Sequence, residues 1–163
     1  MIRILKYSLL PALLLMLVGC SKPPYTDTYG RDVSLSNDRG QWLILNVWAQ
    51  WCAPCRTEIP ELNALAAEGR IRVIGLDFDG NQEEALRARV SAMKIEFPVI
   101  EQSPLAALGV SMPKILPASY IISPKGRVVD TLYGPQTREA LERRLHQLQE
   151  QNNNESSMQA STH

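Results

Sequence analysis

The stretch Leu43–Glu58, LILNVWAQWCAPCRTE, decides how this chain reads. Its first part, Leu43-Ile44-Leu45-Asn46-Val47-Trp48, is a short apolar run of the kind that forms a buried strand. Cys52-Ala53-Pro54-Cys55 follows, and beyond it Ile59, Leu62, Leu65 and Ala66 recur at helical spacing. The two thiols therefore fall where a buried strand hands over to the first turn of a helix. Unpaired N–H groups and the positive end of the helix dipole lie there, so the Cys52 thiolate is favoured over its thiol. The spacing lets the sulfurs close a small ring, with Cys52 presented outward and Cys55 tucked under the turn. Pro54 suits a first helical turn, where a missing N–H costs little. A dithiol so built can attack a disulfide and then be released by its neighbour.

Outward from this motif, strand and helix patterns alternate. Pro60 falls inside the first helix and removes one of its ladder bonds, and Gly69 ends it. Ile71–Phe78 (IRVIGLDF) is a strand covered on both faces. Asn81 is the expected N-cap of the next helix, with Glu83 and Glu84 in its first turn and Leu86, Val90 and Met93 along one face. Phe97–Ile100 is a short strand, and Pro104–Leu108 a helical turn ended by Gly109. Pro117–Ile122 is a strand that turns through Ser123-Pro124-Lys125-Gly126, a type I signal, into the antiparallel partner Val128–Tyr133. A last helix runs from Thr137 to about Glu150, with Leu141, Leu145 and Leu148 inward. This order predicts an α/β chain with a mixed central sheet flanked by helices, the layout of the thioredoxin fold.

The ends read differently. Arg3 and Lys6 precede the apolar run Leu9–Val18, which is too short to span a bilayer and carries Pro11, so residues 1–19 read as a secretory signal. Leu17-Val18-Gly19-Cys20 resembles the lipobox of bacterial lipoproteins, whose cysteine is lipidated and becomes the first mature residue. The alternatives are a plain signal peptide or an uncleaved anchor. The chain has three cysteines, and an odd thiol in an exported protein calls for an explanation. A lipid on Cys20 would leave Cys52 and Cys55 as the redox pair. Residues 20–30 then form a lipidated tether reaching at most about 35 Å. The folded domain occupies 31–150, and 151–163 (QNNNESSMQASTH) form a low-complexity, disordered tail. An edge strand is expected at Val33–Leu35, followed by a polar turn at Asn37–Gly40.

The 17 basic and 17 acidic residues balance without a basic cluster, so no nucleic-acid partner is expected. Asp77 and Asp79 at a strand end read as turn formers. His146 and His163 lie on a charged helix and in the tail, and no set of four ligands for zinc is in view.

Asn46–Pro60 (NVWAQWCAPCRTEIP) closely resembles the active-site segment of TlpA-like and ResA-like thiol–disulfide oxidoreductases, which are membrane-tethered proteins of thioredoxin fold. Pro117–Gly126 (PASYIISPKG) is similar to their cis-proline strand and hairpin turn, and the resemblance covers roughly residues 30–149. It implies that Cys52 attacks and Cys55 resolves. Glu58 stands where the family carries an acid that can mediate proton transfer as Cys55 loses its proton, given partial burial. The alternative is a solvated charge on the helix's outer face. Asn46 occupies the position of thioredoxin's buried aspartate and cannot take a proton, so it reads as a core amide.

Pro117 would be the cis-proline, with Leu116 before it offering backbone groups to an extended substrate. Trp51 would be an exposed apolar platform at the rim, and Trp48 core. Ser111–Leu116 (SMPKIL) is longer than the family's usual spacing, which makes Pro113 a second candidate for the cis role. The added residues, Met112 among them, either enlarge the rim or are loop variation. By resemblance the chain is a periplasmic, membrane-anchored enzyme that reduces protein disulfides. It needs no cofactor beyond the Cys52–Cys55 pair and no metal, and a membrane electron-transfer protein recharges it. The cysteines to which haem is attached in cytochrome c biogenesis are one candidate substrate. A dithiol oxidase or isomerase and a soft-metal chaperone are the competing readings. Ser21 is not the aspartate that retains enteric lipoproteins at the inner membrane, so outer-membrane sorting is open. A tether of about 35 Å would then leave the domain far from an inner-membrane reductant, and the expectation is inner-membrane residence or a soluble relay.

Overall fold

The computed structural model describes residues 25–35 and 40–160. Residues 1–19, Cys20, the start of the tether, most of the Asn37–Gly40 turn and residues 161–163 lie outside this range. The central strand β3 (Leu43–Trp48) is buried along its whole length. It pairs in parallel with β4 (Arg72–Asp77), which pairs in parallel with β5 (Val99–Ile100). On its other side it pairs antiparallel with β6 (Ala118–Ile122), which pairs antiparallel with β7 (Val128–Tyr133). The order β5-β4-β3-β6-β7 is the mixed sheet expected, with the strand that leads to the cysteines in the middle.

Side chains of β3 alternate between two cores, as a period of two requires. Ile44 and Trp48 pack with residues of all three helices: α1 (Ala53–Ala67), α2 (Glu83–Met93) and α3 (Arg138–Ala160). α1 and α2 share this face as expected for two successive parallel crossovers, β3–α1–β4 and β4–α2–β5, that step the same way across the sheet. Leu43, Leu45 and Val47 pack with Ile74, Leu76, Tyr120 and Ile122 on the second face, under Val33 and Leu105. Gly75 of β4 is required beside Trp48: a Cβ there would lie 2.9 Å from Val99 and 3.0 Å from the Trp48 indole nitrogen. The hairpin turns where expected, with Gly126 at φ +74° and its N–H donating to the Ser123 carbonyl.

Three local expectations are corrected. Residues 25–30, expected to belong to the tether, are part of the fold. β1 (Tyr25–Thr26) pairs with β2 (Asp32–Val33), and Asp27 and Thr28 are buried. The Asp27 carboxylate accepts the N–H groups of Tyr29 and Arg31 and the Arg31 side chain, a turn built by one acid that composition does not reveal. The same segment bridges Ile100 and donates from the Thr28 N–H to the Val99 carbonyl, covering the free edge of β5. Because it runs antiparallel to β5, Tyr25 lies past the carboxyl end of the parallel strands, at the end of the sheet that carries the cysteines.

Asn81, expected to cap α2, instead gives both its backbone and side-chain N–H groups to Asp77 Oδ2, and Gln82 becomes the cap residue without a side-chain bond. The last helix does not stop near Glu150 ahead of a disordered tail but continues to Ala160. Residues 151–160 contain neither Gly nor Pro to end it. Among the described residues no helix is long and apolar enough to cross a membrane.

Candidate active site

As β3 leaves the core after Trp48, a turn closed by the Cys52 N–H on the Ala49 carbonyl delivers the chain to α1. Cys52 is the N-cap residue, in extended conformation, and Pro54 sits in the first turn. The Cys55 N–H donates to Cys52 Sγ at 3.2 Å, so the sulfur receives one of the helix's otherwise unpaired donors. Cys52 and Cys55 are joined as a disulfide, so the structure is that of the oxidised protein. The expected contrast between the sulfur residues is smaller than the sequence suggests: Cys52 is 4% exposed and Cys55 1%. Both lie just beneath the surface in this state.

Trp51 stands out beside them, 65% exposed as expected at a rim. It does not swing freely. Its indole N–H reaches both Asp79 carboxylate oxygens at 3.2 Å, and its ring meets Phe78 edge-on at 6.1 Å. Asp79 and Asp77 thus hold neighbouring groups, as turn residues.

The cis bond falls at Leu116–Pro117 and not at Pro113. Ala118 pairs with Val47, which places Pro117 level with the exit of β3, at the cysteine end of the sheet. Leu116 is half-buried and packs against both cores. The longer segment before it, with Tyr120, Thr131 and Tyr133, lines an open groove of about 460 Å³. The Tyr120 hydroxyl donates to the Ser111 carbonyl at 2.7 Å and holds that loop, while Ile115 and Met112 are exposed.

Glu58 is not on the outer face. Helical spacing puts Cys55, Glu58, Ile59, Leu62 and Leu65 on the side of α1 that meets the sheet, and Glu58 is 1% exposed. One carboxylate oxygen accepts from Asn46 Nδ2 at 2.9 Å and the other from the Gln136 backbone N–H at 3.2 Å. Asn46 Nδ2 also donates to Ser119 Oγ at 3.0 Å. Burial raises the Glu58 carboxyl from its ordinary 4.5 to about 7, against the lowering effect of the two donors. A carboxyl that exchanges its proton near neutrality, one helical turn from Cys55, is suited to receive that thiol's proton.

Ser119 and the Gln136 N–H are the site residues that sequence reasoning missed. Ser119 did leave a signal, a lone hydroxyl in an apolar strand; the Gln136 donor belongs to the backbone and leaves none. Among the described residues no group of three or more His, Cys, Asp or Glu is placed to hold a metal.

The buried carboxyl has a cost in stability that depends on pH. Because its folded pKa of about 7 lies above the unfolded 4.5, the folded protein keeps a proton that the unfolded chain has released. Stability contributed below pH 4.5 is therefore lost as the pH rises through 7. Glu58→Gln removes this loss, and at pH 8 the variant is expected to be the more stable by up to about 3 kcal/mol. Chemical denaturation at pH 5 and pH 8 checks this, since the gain should nearly vanish at the lower pH.

Comparison with known proteins gives a consistent set of likenesses. Residues 20–131 match the model of the AhpC/TSA family. The chain is 33% identical over 132 residues to the thiol-disulfide oxidoreductase ResA of Bacillus cereus, covering 78% of this chain and 76% of the relative. The solved structure of StoA from Bacillus subtilis superposes with a TM-score of 0.60 at 25% identity, covering 73% of this chain and 92% of that one. A putative thiol:disulfide interchange protein DsbE from Chlorobium tepidum gives 0.58 at 29% identity, over 76% and 92% of the two chains.

Proposed function

Since the chain belongs to the AhpC/TSA family and is a thiol–disulfide oxidoreductase of the ResA, StoA and DsbE type, we propose that it reduces disulfides of exported proteins at the surface of a membrane. The observation that carries this reading is the arrangement around α1: Cys52 as N-cap, Cys55 one turn along, and buried Glu58 one turn beyond.

In the forward direction the Cys52 thiolate attacks one sulfur of a substrate disulfide, and the other substrate sulfur leaves as a thiolate that is protonated by water. Glu58 takes the proton from Cys55. The Cys55 thiolate then attacks Cys52 Sγ, closing the enzyme disulfide and expelling the second substrate thiolate, which recovers a proton. Two electrons pass from the enzyme dithiol to the substrate disulfide, and no group other than the cysteine pair carries them. Trp51 and the backbone around Leu116 and Pro117 form the rim against which an extended substrate lies.

The resemblance to TlpA-like and ResA-like proteins favours reduction over oxidation. Equilibration with glutathione is expected to give a potential nearer the roughly −270 mV of thioredoxin than the roughly −120 mV of a strong dithiol oxidant. A value at the oxidising end would make the protein an oxidase.

Anchoring through a lipid on Cys20 accounts for the odd cysteine and fits a membrane electron-transfer protein as the reductant. With Tyr25 already in the fold, only residues 21–24 separate the anchor from the domain, a reach of about 18 Å at most from Cys20 to Tyr25. The chain enters at the cysteine end of the sheet, so the active site is held close to that membrane. Mass measurement of the mature N-terminus reads the lipid, and separation of inner from outer membranes tells which one holds it.

A further inference from the structure

Thioredoxin's buried aspartate is replaced here by Asn46, and the structure gives that amide a task. Asn46 is fully buried on β3, directly opposite Ser119 of β6. Both of its amide hydrogens are engaged, one by Glu58 Oε2 and one by Ser119 Oγ, while its own Oδ1 has no hydrogen-bond partner. A buried oxygen left unpaired costs free energy, so the amide would not keep this orientation unless the two donated bonds outweighed the loss. The opposite orientation would turn Oδ1 toward the carboxylate, which only a protonated Glu58 could satisfy.

We propose that Asn46, whose second amide hydrogen is taken up by Ser119, is a positioning residue that presents an N–H to Glu58 and so keeps this carboxylate ionised and able to accept the Cys55 proton at neutral pH. The proposal rests on the role given to Glu58 above. The groups around Glu58 are few: Cys55 on its own helix, Asn46 from β3, Ser119 behind Asn46 from β6, and the Gln136 N–H from the segment before α3. The neighbouring acid on α1, Glu61, is engaged by the Arg138 N–H at 2.9 Å, and no ion pair reaches Glu58 among the described residues. The single side-chain donor to Glu58 is therefore the lever on its ionisation.

The experiment uses the full chain and follows the resolving step alone. A mixed disulfide is preformed between Cys52 and a small aromatic thiol, and release of that thiol by Cys55 is timed from pH 5 to pH 9. In Asn46→Leu, which fills the space without a donor, the midpoint of the rate profile is expected to rise by about one pH unit, slowing release about fivefold at pH 7. Ser119→Ala, which loses one oxygen and keeps the strand, should move it the same way by about half as much. In a Glu58→Gln background neither change should shift the midpoint, because the group they act on is gone.

An unshifted midpoint in both single variants overturns the proposal. So does a shift that persists in the Glu58→Gln background, since the amide would then act elsewhere. If Glu58→Gln alone leaves the profile as in the parent, the role of Glu58 fails first and this inference with it, an outcome readily told from the other two. Should Asn46→Leu not fold, Ser119→Ala decides.

Discussion

Cys55→Ser is expected to turn a transient intermediate into a product that can be isolated. Cys52 would still attack a substrate disulfide, because its place at the N-cap and its bond from the backbone N–H at position 55 do not need the second sulfur. What is lost is the nucleophile held against the mixed disulfide. A group held in place acts at an effective concentration of about 10⁵ M or more, whereas free thiols in solution are millimolar, so turnover should fall by about a thousandfold or more. The check is electrophoresis without reductant, followed by mass identification of what remains joined to Cys52. Protein adducts that disappear with dithiothreitol are the expected result and would name the substrates. An empty trap together with undiminished turnover would remove Cys55 from the mechanism.

Glu58→Gln should give the second largest loss, and in one step only. Glutamine keeps the shape, and its single oxygen can still accept from Asn46 or from the Gln136 N–H, but it takes no proton. General-base assistance is commonly worth about 10²–10⁴-fold, and a hundredfold slowing of the Cys55 step at pH 7 is the expectation. Attack by Cys52 on the substrate should be almost unchanged, since its activation comes from the helix terminus. Stopped-flow resolution of the two steps separates these rates, and equal slowing of both would mean that Glu58 acts on the structure and not on the proton. Together with the gain in stability expected for the same variant at pH 8, this describes an acid kept at a cost to the fold for what it does to Cys55.

Much of this architecture was legible in the residues themselves. The buried strand, the thiols at its exit and the spacing of Ile59, Leu62 and Leu65 report directly on the centre of the sheet and on α1, because period and helix capping are local properties. The hairpin was equally plain from Ser123-Pro124-Lys125-Gly126. What escaped depends on partners distant in sequence. Residues 25–30 look like a tether by composition, yet Asp27 ties the turn together and the segment seals β5, which no local rule foretells.

Glu58 shows the limit most clearly. Its spacing from Cys55 and Leu62 pointed inward while its charge pointed outward. Only the donors from Asn46 and Gln136, the latter far along the chain, decide between them. Asn81 failed as a cap for a similar reason, since Asp77 competes for both of its N–H groups. The extension of α3 past Glu150 was missed because polar composition was read as disorder, although nothing in Gln151–Ala160 breaks a helix.

The account stands on Cys52 being made acidic by its position at the start of α1. In the reduced protein, the rate at which iodoacetamide alkylates Cys52 should be followed against pH, with mass analysis to confirm the site. A midpoint at least about one unit below the 8.5 of a free thiol is expected. A midpoint at about 8.5, with disulfide exchange no faster than that of a free cysteine, would contradict it.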